Sequence, residues 1–344
     1  RLDGLTINTA TNDGVVTLNG ATRIDAAVTI TRGTGAVTFT GTVDSQANTG
    51  DTASEFNSLT IDGIGGGAID FEGAVGAAQN ATQQNVGRLG AVKIATATDL
   101  TVLDGKSFNA VSFEQLAGTN TTFGGTVNTS GQIGGGNTNG IDITTTTGTV
   151  QFKEAVTTTS AVQGSGGVRI NTSGTLTIDK DATFNLAGGF TQLGGGSVNL
   201  GADITTADAV VSIADAVTLT KDVTLLSTTT ATDPQVAPTT GAKVSFGSAV
   251  NSDGTARELT VTAGTGDVVF ASGANVGTAD ATSALASLSV SGADITLRDV
   301  TTTGEQTYTA TGAIDTNSKY ISDGANITFA GATVANSALV IDTT

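Results

Sequence analysis

The chain contains no cysteine, histidine, methionine or tryptophan. Without cysteine it cannot form a disulfide framework, a zinc-thiolate site or a thiol nucleophile. Without histidine it lacks the usual general base and the commonest transition-metal ligand. Because no sulfur is present to be oxidised, the composition is compatible with an aerobic exterior.

Charged residues are also scarce, and most of them carry one sign. Asp and Glu number 31 against 14 Lys and Arg, which gives a formal net charge of −17. The positive residues are scattered and form no basic stripe for phosphates, so we expect no nucleic-acid binding. An anionic membrane surface would repel the chain, and its apolar runs are far too short for a membrane span, so we expect no membrane insertion.

Both ends of the chain read like the interior of a longer sequence. There is no initiator methionine and no signal peptide. Arg1 leads directly into strand-like residues, and Thr344 follows closely on Leu339-Val340-Ile341. We therefore expect a fragment of a longer protein.

Triplets of an apolar residue, threonine and an apolar residue recur along the chain. Their alternation is the period-2 pattern of a strand with one buried face, and the Gly, Asn, Asp and Ser between them favour turns. The triplets begin at Leu5, Val28, Leu59, Leu100, Leu176, Val217, Val223, Leu259 and Ile295. A second class ends at Phe39, Phe71, Phe152, Phe246, Phe270 and Phe329, and several phenylalanines continue into a Phe-x-Gly/Ser-x-Val tail.

The two classes follow each other at a nearly fixed offset, for example nine residues from Val28 to Val37. Neighbouring strands of a flat parallel sheet need a crossover of about a dozen residues, which leaves a hairpin or a bend into a second face of a coil. Similar triplets return after about 20 to 30 residues, which favours stacked coils. We predict an all-β fold, a β-solenoid of short strands with an internal phenylalanine ladder and outward threonine ladders.

We predict one continuous solenoid over residues 1–344 with polar loop insertions at about 44–57, 77–88, 227–241 and 272–283. The third insertion contains both prolines, Pro234 and Pro238, which cannot donate to a strand ladder. Similar triplets resume on both sides of the insertions, which favours projecting loops over interdomain linkers. The only short candidate for a helix is the segment 281–288.

Carboxylates that could serve a polysaccharide-cleaving enzyme are few. They are Asp179 with Asp181, Glu114 alone, and Asp294 with Asp299. Such enzymes cluster carboxylates with Arg or Lys on one face, whereas Asp179 and Asp181 are typical of an exposed turn after a strand. Residues of successive coils can still converge, so an enzyme stays an alternative. We predict that the chain is not an enzyme and assign no catalytic residue.

The glycine-rich segment 65–70 approaches the calcium-binding nonapeptide of β-rolls. Ala68 stands where that motif needs glycine, Glu72 stands where it needs an aliphatic residue, and the motif does not repeat in tandem. The segment 134–140 lacks the aspartate altogether. We interpret both segments as structural turns and predict no metal or cofactor site, with structural calcium as the alternative.

Two further features bear on glycans. Asn-x-Ser/Thr sequons occur at Asn80, Asn120, Asn128, Asn171 and Asn326, which chance could produce in so threonine-rich a chain. Tyr308 and Tyr320 are interpreted as core or edge residues rather than as a platform for stacking sugars. The sequons leave glycosylation open.

Stretches such as 259–270 and 288–297 resemble the repeats of filamentous-haemagglutinin-like and other giant bacterial surface proteins. The resemblance extends over nearly the whole chain and lies in composition and period. It implies a right-handed parallel β-helix, an extracellular or cell-surface location, and a role in adhesion, surface matrix or filaments.

We therefore expect a secreted structural repeat protein that forms a rigid extracellular shaft. Unpaired strand edges at the ends of a solenoid invite pairing with another chain, so we expect end-to-end association into fibres. Two alternatives are an adhesin that binds a glycan or protein receptor through projecting loops, and a β-helix carbohydrate-active enzyme.

Overall fold

The computed structural model describes residues 2–46, 56–63, 65–76, 87–228, 240–278, 282–316, 319–335 and 338–344. Within these ranges the chain forms strands, bridges, turns and bends, and no helix. It divides into two compact units, Arg1–Thr175 and Leu176–Thr344. Each unit consists of short strands in parallel ladders, so the predicted all-β, parallel β-solenoid fold is confirmed.

The strands of the first unit are short, as the triplets predict. They are β1 (Thr6–Asn8), β2 (Val16–Leu18), β3 (Thr22–Ile24), β4 (Val28–Arg32), β5 (Val37–Phe39), β6 (Val43–Ser45), β7 (Leu59–Gly63), β8 (Ile69–Phe71), β9 (Leu89–Ile94), β10 (Ala97–Val102), β11 (Phe108–Gln115), β12 (Gly118–Phe123), β13 (Val127–Thr129), β14 (Asn139–Thr145), β15 (Thr149–Phe152), β16 (Val156–Thr158) and β17 (Gly167–Thr172).

The second unit is also built from short strands, and its first strand begins at Thr175, one residue before the unit boundary. Its strands are β18 (Thr175–Ile178), β19 (Phe184–Leu186), β20 (Phe190–Leu193), β21 (Ser197–Leu200), β22 (Ile204–Thr206), β23 (Val211–Ile213), β24 (Ala216–Leu219), β25 (Val223–Leu226), β26 (Val244–Phe246), β27 (Val250–Ser252), β28 (Glu258–Thr262), β29 (Val268–Phe270), β30 (Ser287–Gly292), β31 (Ile295–Leu297), β32 (Val300–Thr302), β33 (Gln306–Thr316), β34 (Lys319–Ser322), β35 (Ile327–Val334) and β36 (Val340–Asp342).

The coils of the first unit have three sides. The first side is the parallel ladder β1-β4-β7-β9, continued by the second half of β11, β14 and β17. The second side is β2-β5-β8-β10-β12-β15. The third side joins β3 and β6, through the bridged Val75, to the first half of β11, β13 and β16. The nine-residue offset is therefore a bend from the first side to the second, and the Phe-x-Gly-x-Val tail leads on to the third.

Three parallel ladders also build the second unit. One is β20-β23-β26-β29-β31. Another is β21-β24-β27, which continues through the bridged Val276 to β32, β34 and β36. The last is β19-β22-β25-β28-β30-β33-β35. In each coil, side chains from three strands again point into the core.

Side chains alternate between the interior of the coil and its surface. In three-residue strands such as β5, β8 and β29, the outer residues are buried and the middle residue is half-buried. Valine, isoleucine and phenylalanine fill the inner positions because they fit a pleated, half-buried surface. Phe39 stacks on Phe71 with ring centroids 5.0 Å apart, and Phe246 stacks on Phe270 at 4.8 Å. These pairs confirm the predicted internal phenylalanine ladder.

Threonine and serine occupy inner positions as well as outer ones. Outward threonines pair in register as predicted, as Thr17 does with Thr38. However, several strands end on a buried hydroxyl residue. The hydroxyl of Thr302 donates to the Gly304 carbonyl at 2.6 Å, which satisfies a backbone acceptor where the chain turns away from the coil. The prediction of outward threonine ladders is thus correct but incomplete.

Glycine at the corner after phenylalanine is required by the closeness of the stacked coils. A Cβ on Gly73 would lie 2.3 Å from the carbonyl carbon of Gly41, and a Cβ on Gly41 would lie 2.4 Å from that of Gly20. Side chains cannot be accommodated at such distances from backbone, so these corners stack closely only as glycine.

Most of the first three predicted insertions lies outside the described residues, namely 47–55, 77–86 and 229–239, whereas only 279–281 of the fourth does. The described margins differ from the predicted boundaries. Asp44 and Ser45 belong to β6, although we placed them in the first insertion.

Two predictions near residue 280 also need correction. Val276, placed in the fourth insertion, forms parallel bridges with its neighbours in adjacent coils. The helix candidate 281–288 is wrong where it is described, because Leu285 forms a parallel bridge and β30 begins at Ser287. Stacking against neighbouring coils overrides the weak local helix propensity. The continuity of a single solenoid over 1–344 stays a prediction.

Candidate functional site

The carboxylates proposed for an enzyme belong to different elements of the two units. Asp179 and Asp181 flank a turn after β18, in which the Asp179 carbonyl accepts from the Ala182 amide at 2.9 Å. Glu114 forms an ion pair with Lys93 at 2.9 Å on the first side of the first unit.

Asp294 and Asp299 serve contacts between successive coils. Asp294 Oδ1 accepts from the Ala313 amide at 2.7 Å, and Asp299 Oδ1 accepts from the Lys319 amide at 2.9 Å. Each carboxylate thus binds backbone of the following coil. Across the described ranges, no group of three or more acidic residues could hold a metal ion.

One group of carboxylates does lie together, on the second side of the first unit. Asp70 is the outward residue of β8, in register with Thr38 and Thr101. Burial raises the pKa of Asp70, and the carboxylates of Glu72 and Asp99 raise it further. This acidic surface would repel an anionic ligand.

In the glycine-rich segment 65–70, the Gly65 carbonyl accepts a hydrogen bond from the buried guanidinium of Arg32. Arg32 is 1% exposed. Its Nη1 donates to the Gly35 carbonyl at 3.1 Å and the Gly65 carbonyl at 3.2 Å, and its Nη2 donates to the Thr96 carbonyl at 2.6 Å. Burial lowers the pKa of Arg32. The positive charge of Arg32 thus already uses one carbonyl oxygen of the segment, and its interpretation as a structural turn stays a prediction.

The second glycine-rich segment, 134–140, contains a tight turn. Gly134 and Asn137 exchange backbone hydrogen bonds of 3.1 and 3.0 Å, and Asn137 Nδ2 donates to Asp142 Oδ2 at 2.9 Å. Arg169 also pairs with Asp142, at 2.8 Å. The carboxylate beside this turn is thus matched by a guanidinium.

The sequons differ in their surroundings. Asn80 lies outside the described residues. Asn120 and Asn128 donate through their side-chain amides to neighbouring side chains at 2.8 and 3.0 Å. Asn171 is half-buried and Asn326 is exposed. Attachment of a glycan would disturb the hydrogen bonds of the first two described sequons, and Asn326 offers the more accessible amide.

Both tyrosines lie in the core of the second unit, one of the two environments predicted for them. Tyr308 and Tyr320 are fully buried and pack with Phe329 at centroid distances of 5.1 and 5.3 Å. The Tyr308 hydroxyl donates to Gln306 Oε1 at 2.9 Å. Burial is the largest cause that raises the pKa of both phenols above the ordinary value. Their burial rules them out as a surface platform for sugars.

We expect this tyrosine cluster to make the second unit sensitive to strong base. Because the folded-state pKa of each phenol is raised above the unfolded value of about 10, the associated stability is fully present below about pH 10 and is lost as pH rises toward the folded-state values. The chain has two tyrosines, so tyrosinate absorbance reports on them directly. The absorbance should appear only together with the loss of the β-sheet circular dichroism signal.

The control for this titration is the double variant Tyr308→Phe/Tyr320→Phe. It should retain the fold and lose the part of the base sensitivity that arises from the phenols. Tyrosinate formation near pH 10 with an intact circular dichroism spectrum would contradict the expected burial.

A polar pocket of about 380 Å³ opens on the third side of the first unit. Outward residues of β11, β13 and β16 line it together with Arg88. Asn109 pairs in register with Asn128, and Asn128 pairs in register with Thr157. Arg88 Nη1 donates to the Ala110 carbonyl at 3.0 Å, and burial lowers the pKa of this guanidinium. The pocket thus combines stacked amides and hydroxyls with one positive charge.

The sequence analysis did not identify Arg32 or Arg88. For Arg32 a signal exists, because it follows Val28 and Ile30 at the same inward parity of one strand. An arginine at an inward position of a strand predicts a buried guanidinium that needs acceptors. For Arg88 the sequence gives no comparable signal, because Arg88 lies just before β9 and outside the alternating pattern of that strand.

No family model, curated protein or solved structure matches the chain. Among the described residues there is no helix of the length and apolarity that a membrane crossing requires.

Proposed function

We propose that the chain is part of a secreted structural repeat protein on or around a bacterial cell, in which the solenoid serves as a rigid shaft. The observation that carries the proposal is the in-register stacking of all three sides, coil upon coil, within each unit. The extracellular location and the bacterial surface role come from the resemblance of the repeats.

Such stacking is suited to a mechanical role. In a solenoid each coil contacts only its neighbours, and stability accumulates through these nearest-neighbour interfaces. Here every interface combines backbone ladders with inner packing, such as Phe246 on Phe270. The glycine corners allow the close approach at which those ladders form. Bending a coil away from the next would break all of these contacts together.

Hydrogen exchange of the native protein tests the shaft directly. We expect strong protection of the ladder amides on all three sides of both units, since each is bonded to a neighbouring coil. Amides of outward-facing residues should be protected as well as those of inward-facing ones, because both belong to the ladders. Rapid exchange throughout one entire unit would contradict a shaft built from stacked coils.

End-to-end association into fibres belongs to the same proposal, because an unpaired strand edge is a template for another chain. Electron microscopy of the native material at neutral pH should show continuous fibres that persist after a calcium chelator is added. Fibres that disassemble in chelator would establish a structural role for calcium. Dispersed particles at high concentration would contradict the association while leaving the exchange result unaffected.

A further inference from the structure

The chain contains several Asp-Gly pairs, a dipeptide in which the backbone can react with the aspartate side chain. The pairs begin at Asp3, Asp13, Asp62, Asp104, Asp253 and Asp323. Because glycine has no side chain to shield its amide nitrogen, that nitrogen can attack the carboxyl carbon of the aspartate before it. The reaction is intramolecular, so its rate depends on how the fold holds the two groups relative to each other.

In the pair Asp62-Gly63 the two reacting groups are in contact. Asp62 and Gly63 are the last two residues of β7, and the Gly63 amide donates to Asp62 Oδ1 at 2.9 Å. The carboxyl carbon bonded to that oxygen therefore lies beside the nitrogen that would attack it. Asp62 is also exposed, so water can leave the site and return to it.

Two other pairs of the first unit have their carboxylates bound elsewhere. Asp13 Oδ1 accepts from the Thr34 amide of the next coil at 2.6 Å. Asp104 Oδ1 accepts from Lys153 Nζ at 2.8 Å. Each contact directs the carboxylate to a distant partner, so these two pairs are less prepared for the reaction.

Two pairs of the second unit are also engaged in other hydrogen bonds. Both carboxylate oxygens of Asp253 accept from Arg257, each at 3.0 Å. In the pair that begins at Asp323, the Gly324 amide donates to the Ser322 carbonyl at 3.1 Å. The structure thus separates Asp62 from four pairs that have the same local sequence.

We propose that the fold selects Asp62 as a site of spontaneous isoaspartate formation. The Gly63 nitrogen forms a bond to the carboxyl carbon of Asp62, and the carboxyl OH leaves with the amide hydrogen as one water molecule. Solvent water then adds to the α-carbonyl of the resulting succinimide and breaks its bond to the nitrogen. The peptide link now passes through the side-chain carboxyl of residue 62, and the α-carboxyl becomes free.

The product lengthens the backbone at a place where two coils are close. An isoaspartyl link adds one carbon to the main chain between residues 62 and 63. There is little space for it, since a Cβ on Gly63 would lie 2.4 Å from the Arg32 carbonyl oxygen. The following glycines must therefore shift, and with them the Gly65 carbonyl that Arg32 binds at 3.2 Å and the Gly66 carbonyl that the Thr98 amide binds at 2.9 Å. The modification would loosen the stacking of coils beside Arg32.

Peptide mapping of the full chain tests the site. The native protein is incubated at neutral pH and physiological temperature, digested, and labelled with isoaspartyl methyltransferase and S-adenosylmethionine, which mark isoaspartate. Isoaspartate at residue 62 should exceed that at each of residues 13, 104, 253 and 323 by about fivefold or more, because proximity accelerates an intramolecular reaction. Equal accumulation at the five sites, or none at residue 62, overturns the proposal.

The same chain in guanidinium chloride is the control for the fold. Without the fold the pairs share one local chemistry, so their rates should differ by less than about twofold. A preference for residue 62 that is as large in the denatured chain as in the native protein would overturn selection by the fold.

Variants connect the modification to its structural effect. Asp62→Glu keeps the charge but needs a larger ring, so it should abolish labelling at residue 62, whereas the matched control Asp253→Glu should leave that labelling unchanged. Hydrogen exchange of the Thr98 amide should be faster in the incubated parent than in the fresh parent, and unchanged in incubated Asp62→Glu. Unaltered Thr98 exchange in a parent protein that carries isoaspartate at residue 62 would overturn the loosening beside Arg32.

Discussion

Phe123→Ala should lower the free energy of unfolding of the first unit by about 3–5 kcal/mol, the usual cost of truncating a buried aromatic ring. The Phe123 ring stacks on Phe152 at a centroid distance of 5.3 Å and meets Phe108 and Phe113 edge-on at 5.4 and 5.3 Å. It therefore belongs to the packing of three coils at once. A cavity left there cannot be closed by movement of one strand, because the ladders fix the spacing on every side.

Denaturant unfolding followed by circular dichroism measures this effect, and hydrogen exchange localises it to the first unit. Exchange should accelerate most at β12 and at its ladder partners β10 and β15. Leu116→Ala is the matched control, since Leu116 is 48% exposed just after β11, and it should change stability by less than about 0.5 kcal/mol. An equal loss in the two variants would mean that the stacked rings do not stabilise the coil.

The strands and their inward residues could be predicted from the sequence because their signal is local. A half-buried strand alternates apolar and polar residues with period 2, so Val37 and Phe39 can be predicted as inward residues from this segment alone. The third side was not recognised because its strands are short and follow glycine corners, as Val43 follows Gly41. The Phe-x-Gly/Ser-x-Val tail is visible in the sequence, but its valine can be assigned to a third side only when the closure of the coil is known.

Register between coils could not be predicted, because coil length is not constant. Val198 pairs with Val217 nineteen residues later, whereas Val217 pairs with Val250 thirty-three residues later. Insertions of different length change which residues become neighbours without changing the strand pattern. The candidate site depends on that register, since Asn109, Asn128 and Thr157 are ordinary outward residues until the coils align them.

The partners of Arg32 could not be predicted from the sequence either. Arg32 and the three carbonyls that it binds, those of Gly35, Gly65 and Thr96, are called the Arg32 clamp below. The inward parity of Arg32 is visible in the sequence, but two of the three carbonyls it binds belong to later coils. They lie 33 and 64 residues further along the chain, at Gly65 and Thr96. A buried charge without a carboxylate partner is costly, so this one persists because backbone acceptors from successive coils surround it.

We expect Arg32→Met to lower the free energy of unfolding of the first unit by about 2–4 kcal/mol. Two effects oppose each other. Removal of a buried charge relieves its desolvation cost, whereas loss of the guanidinium deprives the Gly35 and Thr96 carbonyls of a donor, at about 1–3 kcal/mol for each group left unsatisfied. The Gly65 carbonyl still accepts from the Gly67 amide at 3.0 Å. The second effect should prevail, because Arg32 contacts the carbonyls of Gly35, Gly65 and Thr96 together and methionine can replace none of those bonds.

Arg32→Lys separates charge from geometry. Lysine keeps the positive charge but presents a single ammonium group in place of a planar fork, so it should recover only part of the loss. Arg23→Met is the control, because Arg23 is exposed on β3 and its removal changes net charge by the same amount. In hydrogen exchange, Arg32→Met should accelerate the Thr98 amide, which bonds to the Gly66 carbonyl at 2.9 Å beside the clamp. A methionine variant as stable as the parent would mean that desolvation of the guanidinium outweighs its hydrogen bonds, and the coils would then stack without the clamp.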